Sequence, residues 1–514
     1  MKKLPLWGLL VGLSLLIIAC QLFMSTPQPP DEPATVEPPG EPETDQPSPG
    51  TSEWNDLSIY RDGLIAAERA RLEEYQGASV YHIDYTISDD LTGLTGAQTV
   101  HYTNREDINL TEVQVRLLPN VLNGKMTVSS VLVDGVNVEP IYSLANSLLR
   151  VPLGPGLPPG ASVDLSFDFS VKVPTEIESN YGILAYYNGV LTLAHTYPMI
   201  AVYDDEGWNA EIPPDQGDPT YADASFFLVK VDAPGRVVLA GSGREVNRQD
   251  NGSRQIVTYA AGPARDFYVA ASPDYELISR TDGEVTFNAY AREGMQEGAQ
   301  MALDVAIESF KIFGERYAPY PYTEFDIVAT PTYALGIEYP GIIALTEQIY
   351  DIQGTLNGNP TGVLMESTVA HEAGHQWFYN LVGNDQLDDP WLDESLTQFV
   401  TWQYYADRYG SGGASGFEQS LLSRWSRVEN RSIPIGLAVE AYDGAAYSAI
   451  IYGRGALFFD ALREQMGAET FDAFLQEYTA SNAWGIGTGE KMKELAEEHC
   501  NCDLTALFEQ WVYP

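Results

Sequence analysis

The chain has 514 residues, 44% of them apolar, with nine Trp and 31 Tyr. It is too long for one hydrophobic core and is rich enough in large side chains to fill two or more. With 28 Lys and Arg against 72 Asp and Glu, its formal charge is −44, which repels phosphate backbones and excludes nucleic acid as a partner. The same acidic field serves solubility, or draws in cationic substrates such as peptides with a free amino terminus.

The chain opens with Lys2 and Lys3, an apolar run from Leu4 to Ala19, and then Cys20. A short positive segment followed by an apolar stretch has the form of a secretory signal. The ending Leu16-Ile17-Ile18-Ala19-Cys20 resembles the bacterial lipobox, which implies cleavage before Cys20 and a lipid on that cysteine. Residues 1–19 are thus expected to be a signal peptide. The mature chain is then a lipoprotein, held on the bacterial cell membrane outside the cytoplasm. The alternative is an uncleaved apolar anchor from Leu4 to Met24, just long enough to span. Residues 20–53 read as the lipidated cysteine and a proline-rich, acidic tether without apolar periodicity.

Residues 54–76 predict a helix ended by Gly77, with Leu57, Leu64, Ala67, Ala70 and Leu72 near helical spacing. From Val80 the period changes to two, most clearly at Val163, Leu165, Phe167, Phe169, Val171 and Val173. Asp134-Gly135 is a hairpin signal between apolar residues. Strands continue to about Ala271, so residues 54–277 predict a helix and an antiparallel β domain. The loop 203–223 is rich in carboxylates. It reads as a solvated loop, with a calcium site as the alternative.

Residues 278–514 turn mainly helical. Gln296 to Arg316 is a long amphipathic segment, Phe325–Thr330 and Ile342–Thr346 read as strands, and helices dominate from Val363. Leu396–Tyr409 predicts a helix ended by Gly410. The fold class is multi-domain α+β. Cys500 and Cys502 are two positions apart, a spacing that favours two thiols over a bridge.

Among six histidines, two lie four apart in His371-Glu372-Ala373-Gly374-His375. On a helix, positions i and i+4 face the same way, so both imidazoles can reach one zinc ion, with Glu372 beside a zinc-bound water. Glu394 lies 19 positions after His375, in Trp391-Leu392-Asp393-Glu394-Ser395. Two antiparallel helices joined by the turn-rich segment from Gly383 to Pro390 would bring it up as the third ligand, leaving the fourth position open.

These residues resemble the gluzincin metallopeptidases of the aminopeptidase N type, whose pattern is H-E-x-x-H, eighteen residues, then Glu within W-L-x-E. Gly336-Ile337-Glu338-Tyr339-Pro340 is similar to the family's G-x-M-E-N segment. Tyr447 to Gly455 is similar to its tyrosine segment. The resemblance implies a thermolysin-like catalytic domain and one zinc ion held by His371, His375 and Glu394. It implies Glu372 as the catalytic base, Tyr452 as the residue that stabilises the tetrahedral intermediate, and Glu338, with Gly336, as the binding site for the substrate's free amino group. Peptides are then the substrates and the reaction is removal of the amino-terminal residue. Three features depart from the pattern: Ile337 and Tyr339 replace Met and Asn, and Thr401 stands where many relatives carry a further glutamate. The family's additional β-sandwich and large helical domain do not follow the catalytic part, which predicts a more open cleft. An endopeptidase on the same site, and an inactive lipid-anchored binding protein, are the two rival readings.

Overall fold

The alternating residues Val163 to Val171 become the inward face of the strand Ser162–Lys172 in a computed structural model that describes residues 54–513. These residues lie within one compact unit. The expected signal peptide, Cys20 and tether lie outside the described residues. Among the described residues no helix is long and apolar enough to cross a membrane.

The strand Ser162–Lys172 lies in an eight-stranded sheet with Val80–Ile87 and Gly93–Thr103. The expected hairpin forms between Lys125–Val133 and Val136–Asn137, with Asp134 at φ 48° and Gly135 at φ 76°. Two four-stranded sheets and a two-stranded pair, Tyr203–Asp204 with Gly207–Trp208, complete the β part. Most of its apolar side chains belong to one cluster that includes Phe167, Phe227 and Tyr268. The β part is antiparallel as expected except at one place, where Val80–Ile87 pairs in parallel with Ser225–Pro234. More than a hundred residues separate the two strands, so the chain has room to cross over and return in the same direction.

The stretch 54–76 is not one helix. It forms two 3-10 turns, Ser58–Gly63 and Arg69–Tyr75. Between them Leu64 is extended and bridges to Tyr322, and the Ile65 amide donates to the Pro321 carbonyl at 2.9 Å. That pairing takes the amide a continuous helix would use. Gly77, at φ 88°, does end the segment.

The catalytic part is built on a five-stranded mixed sheet. The strands Val285–Ala291, Glu324–Thr330 and Ile342–Thr346 run parallel, and Gly336–Tyr339 pairs antiparallel at the edge. The helix Gln296–Arg316 buries Ala299, Ala302, Leu303, Ala306, Phe310 and Phe313, a stripe of helical period. The helical stretch Leu396–Trp425 is two helices, the first ended at Gly410 as expected. Gly410 takes φ 64°, ψ −154° and breaks the axis, but the chain resumes as helix. Phe417 stacks on Tyr405, with ring centroids 5.1 Å apart, and holds the second half against the first.

Cys500 and Cys502 form a disulfide, correcting the expectation of two thiols. Asn501 sits at the end of the helix Gly489–Cys500 in the left-handed conformation. It folds the chain back so that the two α-carbons stand 5.1 Å apart, within bridging range.

Candidate active site

A cleft of about 1040 Å3 runs between the β part, the edge strand Gly336–Tyr339 and the helices. The helix Thr361–Gly374 presents His371 into it and ends at His375. Gly374 lets the next long helix close in: a β-carbon there would stand 2.9 Å from Thr397 Cγ2 and 3.0 Å from Val400 Cγ2.

Glu394 comes from a single wide π-turn, Trp391–Ser395, at the start of that helix. Tyr452 comes from a second π-turn, Ile450–Arg454. Turns of this kind insert one extra residue into a helix and recur at functional sites. The two turns are locked together, since the Ser395 hydroxyl donates to the Ile451 carbonyl at 2.7 Å.

The donor atoms converge. His371 Nε2 lies 3.1 Å from Glu394 Oε2, His375 Nε2 lies 3.4 Å from the same oxygen, and the two imidazole nitrogens are 3.2 Å apart. Three tetrahedral ligands at zinc bond lengths stand about 3.3 Å from one another, so this set fits a single zinc ion. The tautomer agrees. His375 Nδ1 lies 3.0 Å from the Phe378 carbonyl, which can only accept, so Nδ1 carries the proton and Nε2 is bare. Asp393 orients the third ligand by accepting from the Glu394 amide at 2.6 Å, and is itself held by Gln386 at 2.7 Å.

Glu372 is 4% exposed, and its Oε2 has no hydrogen-bond partner. Glu338, 7% exposed, has a carboxylate oxygen within 4.8 Å of a donor atom of both Glu372 and His375. Burial, and then repulsion from neighbouring carboxylates, pushes the carboxyls of Glu338 and Glu372 well above their ordinary range. Such a concentration of carboxylates calls for positive charge, which a dication and a substrate ammonium would supply. The Tyr452 hydroxyl donates to Glu394 Oε1 at the rim of the donor set.

Two departures from the family pattern have structural reasons. Tyr339 is 2% exposed and stacks flat on Tyr268 of the β part, centroids 4.0 Å apart, so it fixes the edge strand to the neighbouring core. Thr401 is buried and donates to the Thr397 carbonyl at 2.7 Å, within its own helix.

Other residues escaped the sequence reading. Asp218 lies in the acidic loop 203–223, and residues 216–220 of that loop line the cleft. Burial, then Glu394 and Asp393, raise its carboxyl well above the usual range. The groups of side chains able to hold a metal, among the described residues, are His371, His375 and Glu394, and Glu338, Glu372 and His375. The loop is not one of them. Buried Arg265 donates to the carbonyls of Tyr379, Asn380 and Leu381 and so ties the β part to the chain just after His375. No local pattern marks either residue, because each acts on segments distant in sequence.

Residues 301–511 match the model described as "Peptidase family M1 domain". The chain is similar to Aminopeptidase M1-A of Oryza sativa subsp. japonica, 29% identical over 57% of this chain and 35% of the relative. It is also similar to Aminopeptidase M1 of Arabidopsis thaliana, 25% identical over 63% of this chain and 39% of the relative. The chain therefore spans little more than a third of the length of these curated relatives. The fold is that of the M1 zinc metallopeptidase from Deinococcus radiodurans, with TM-score 0.63 and 19% identity, covering 85% of this chain and 94% of that one. A variant of that protein has been solved with a Tyr-Ser-Ala substrate bound, at TM-score 0.62 and 18% identity, covering 85% of this chain and 95% of that one. The β part followed by a mainly helical part is the arrangement these structures share. The donor set described above lies within residues 301–511, the part of the chain that this model matches.

Proposed function

We propose that this protein is a zinc aminopeptidase of the M1 type that removes the first residue from peptides outside the cytoplasm. One observation carries the reading: the buried carboxylate of Glu338 stands beside Glu372 and His375, in the same cleft as the zinc donor set. A substrate ammonium paired with Glu338 places the first peptide bond next to the metal site, and a blocked terminus loses that pairing.

His371, His375 and Glu394 would hold the zinc ion, which when bound supplies Lewis acidity toward the scissile carbonyl and toward water. Glu372 accepts the proton of the attacking water and passes it to the leaving amine. Its unpartnered Oε2 leaves that role open. Tyr452 donates to the oxygen that gains negative charge, exchanging its partner Glu394 for the substrate. Glu338 fixes the amino group, with Asp218 adding to the negative potential of that wall. Gly336, in the edge strand, leaves room for the Glu372 side chain beside it.

Removing one partner of a partly desolvated charge pair costs about 2–5 kcal/mol. Glu338→Ala is therefore expected to lower kcat/KM for free-amine peptides by about tens-fold to thousands-fold, with zinc content unchanged. Acetylating the peptide should have a comparable effect on the wild-type enzyme. Equal cleavage of acetylated and free peptides, unaffected by Glu338→Ala, would sink the aminopeptidase reading.

The lipid anchor at Cys20 is part of the same proposal. It is supported by the sequence run ending at that cysteine.

A further inference from the structure

The cleft also carries positive charge. Arg424, in the last turn of the helical stretch Leu396–Trp425, and Arg427, two residues beyond it, line it together with Glu338, His371 and Glu394. The Arg424 guanidinium lies over the ring of Tyr452, with Cζ 5.4 Å from the ring centroid. Among the described residues neither arginine forms an ion pair with a carboxylate. That is unusual in a chain with 72 acidic and 28 basic side chains, where a partner is easily found. Arg424 is partly buried in the cleft wall, and burial lowers its pKa from the usual value. A partly desolvated guanidinium without a counter-ion is a ready receptor for a carboxylate, which it binds through two parallel hydrogen bonds.

The position sets the reach. The Tyr452 hydroxyl marks where the scissile carbonyl sits, and Arg424 lies one tyrosine ring away from it. An extended peptide advances about 3.3–3.6 Å per residue. A carboxylate one or two residues past the scissile bond falls within reach of the guanidinium, while that of a longer peptide lies beyond it.

We propose that Arg424, supported by Arg427, receives the substrate's terminal carboxylate, so that the enzyme is tuned to free-acid peptides of two or three residues. This rests on the aminopeptidase reading and deepens it. One end of the cleft reads the ammonium group and the other the carboxylate, which measures the length of the peptide between them.

The test compares kcat/KM for Leu-Gly-Gly and Ala-Ala-Ala as free acids and as C-terminal carboxamides. Wild-type enzyme is expected to favour the acid by about tenfold or more at low salt, less at high salt. Arg424→Gln should bring the acid-to-amide ratio near one through loss on the acid, and Arg424→Lys should keep an intermediate ratio. A wild-type ratio near one overturns the proposal. So does an equal fall on both substrates in Arg424→Gln, which would make Arg424 a positioning residue for Tyr452. Should that variant not fold, as judged by zinc content and melting temperature, the wild-type ratio decides alone. Failure of the underlying reading is seen separately, as undiminished cleavage of the N-acetylated carboxamides.

Discussion

Gly336 and Glu372 touch so closely that a β-carbon on Gly336 would stand 2.4 Å from Glu372 Oε1 and 2.6 Å from its Cγ. The edge strand and the helix that carries His371 meet there, and the glycine is what lets Glu372, the proposed base, keep its position. Gly336→Ala must push Glu372 aside. A displaced base forfeits much of a contribution on the order of 100-fold. The expected outcome is a loss of kcat of about that order with zinc retained, measured by steady-state kinetics and metal analysis on one preparation. Unchanged kcat would show that Glu372 is not the group the strand holds in place.

His375 joins the donor set through Nε2 while its Nδ1 proton is spent on the Phe378 carbonyl. Wild-type protein should carry one zinc per chain, and His375→Ala should lose it or bind it far more weakly. Full occupancy in that variant would mean the ligands lie elsewhere.

Glu372→Gln keeps the size of the side chain but removes the basic oxygen. Tyr452→Phe removes only a hydroxyl. Both variants should retain zinc, because neither residue belongs to the donor triad. Each should lose turnover by about 100-fold or more. Wild-type turnover in either variant removes that residue from the mechanism.

Cys20→Ala tests the anchor. In cell fractionation the variant is expected to leave the membrane or be mislocalised, since the lipid has no attachment point. Retention at the membrane would point to an uncleaved apolar anchor from Leu4 to Met24.

The metal centre was legible because its spacing is local. His371 and His375 share one helix face by the helical period alone, and the flanking tryptophan, leucine and acid around Glu394 marked the third ligand. The strand pattern 163–173 and the apolar stripe of 296–316 were readable for the same reason: burial on one face leaves a period in the sequence. At one place the reading failed because a distant segment had intervened. Residues 54–76 have helical spacing, yet Pro321 takes the Ile65 amide. The expected helix end at Gly410 holds, but the spacing did not show the second helical segment beyond it, whose Phe417 stacks on Tyr405 of the first. The bridge between Cys500 and Cys502 depends on the left-handed turn at Asn501, which spacing alone does not announce.

The sequence by itself determined the spacing of the three donor residues and the order of the two parts, since these depend on residue type and short-range periodicity. Only the tertiary structure decided what surrounds them. It brought Asp218 from the acidic loop to the cleft wall, set Tyr339 against Tyr268, and placed Arg424 over Tyr452. Each is a contact between segments far apart in the chain, and the physical reason is the same in all three. Burial and charge at a point in space are sums over neighbours that the linear order does not bring together.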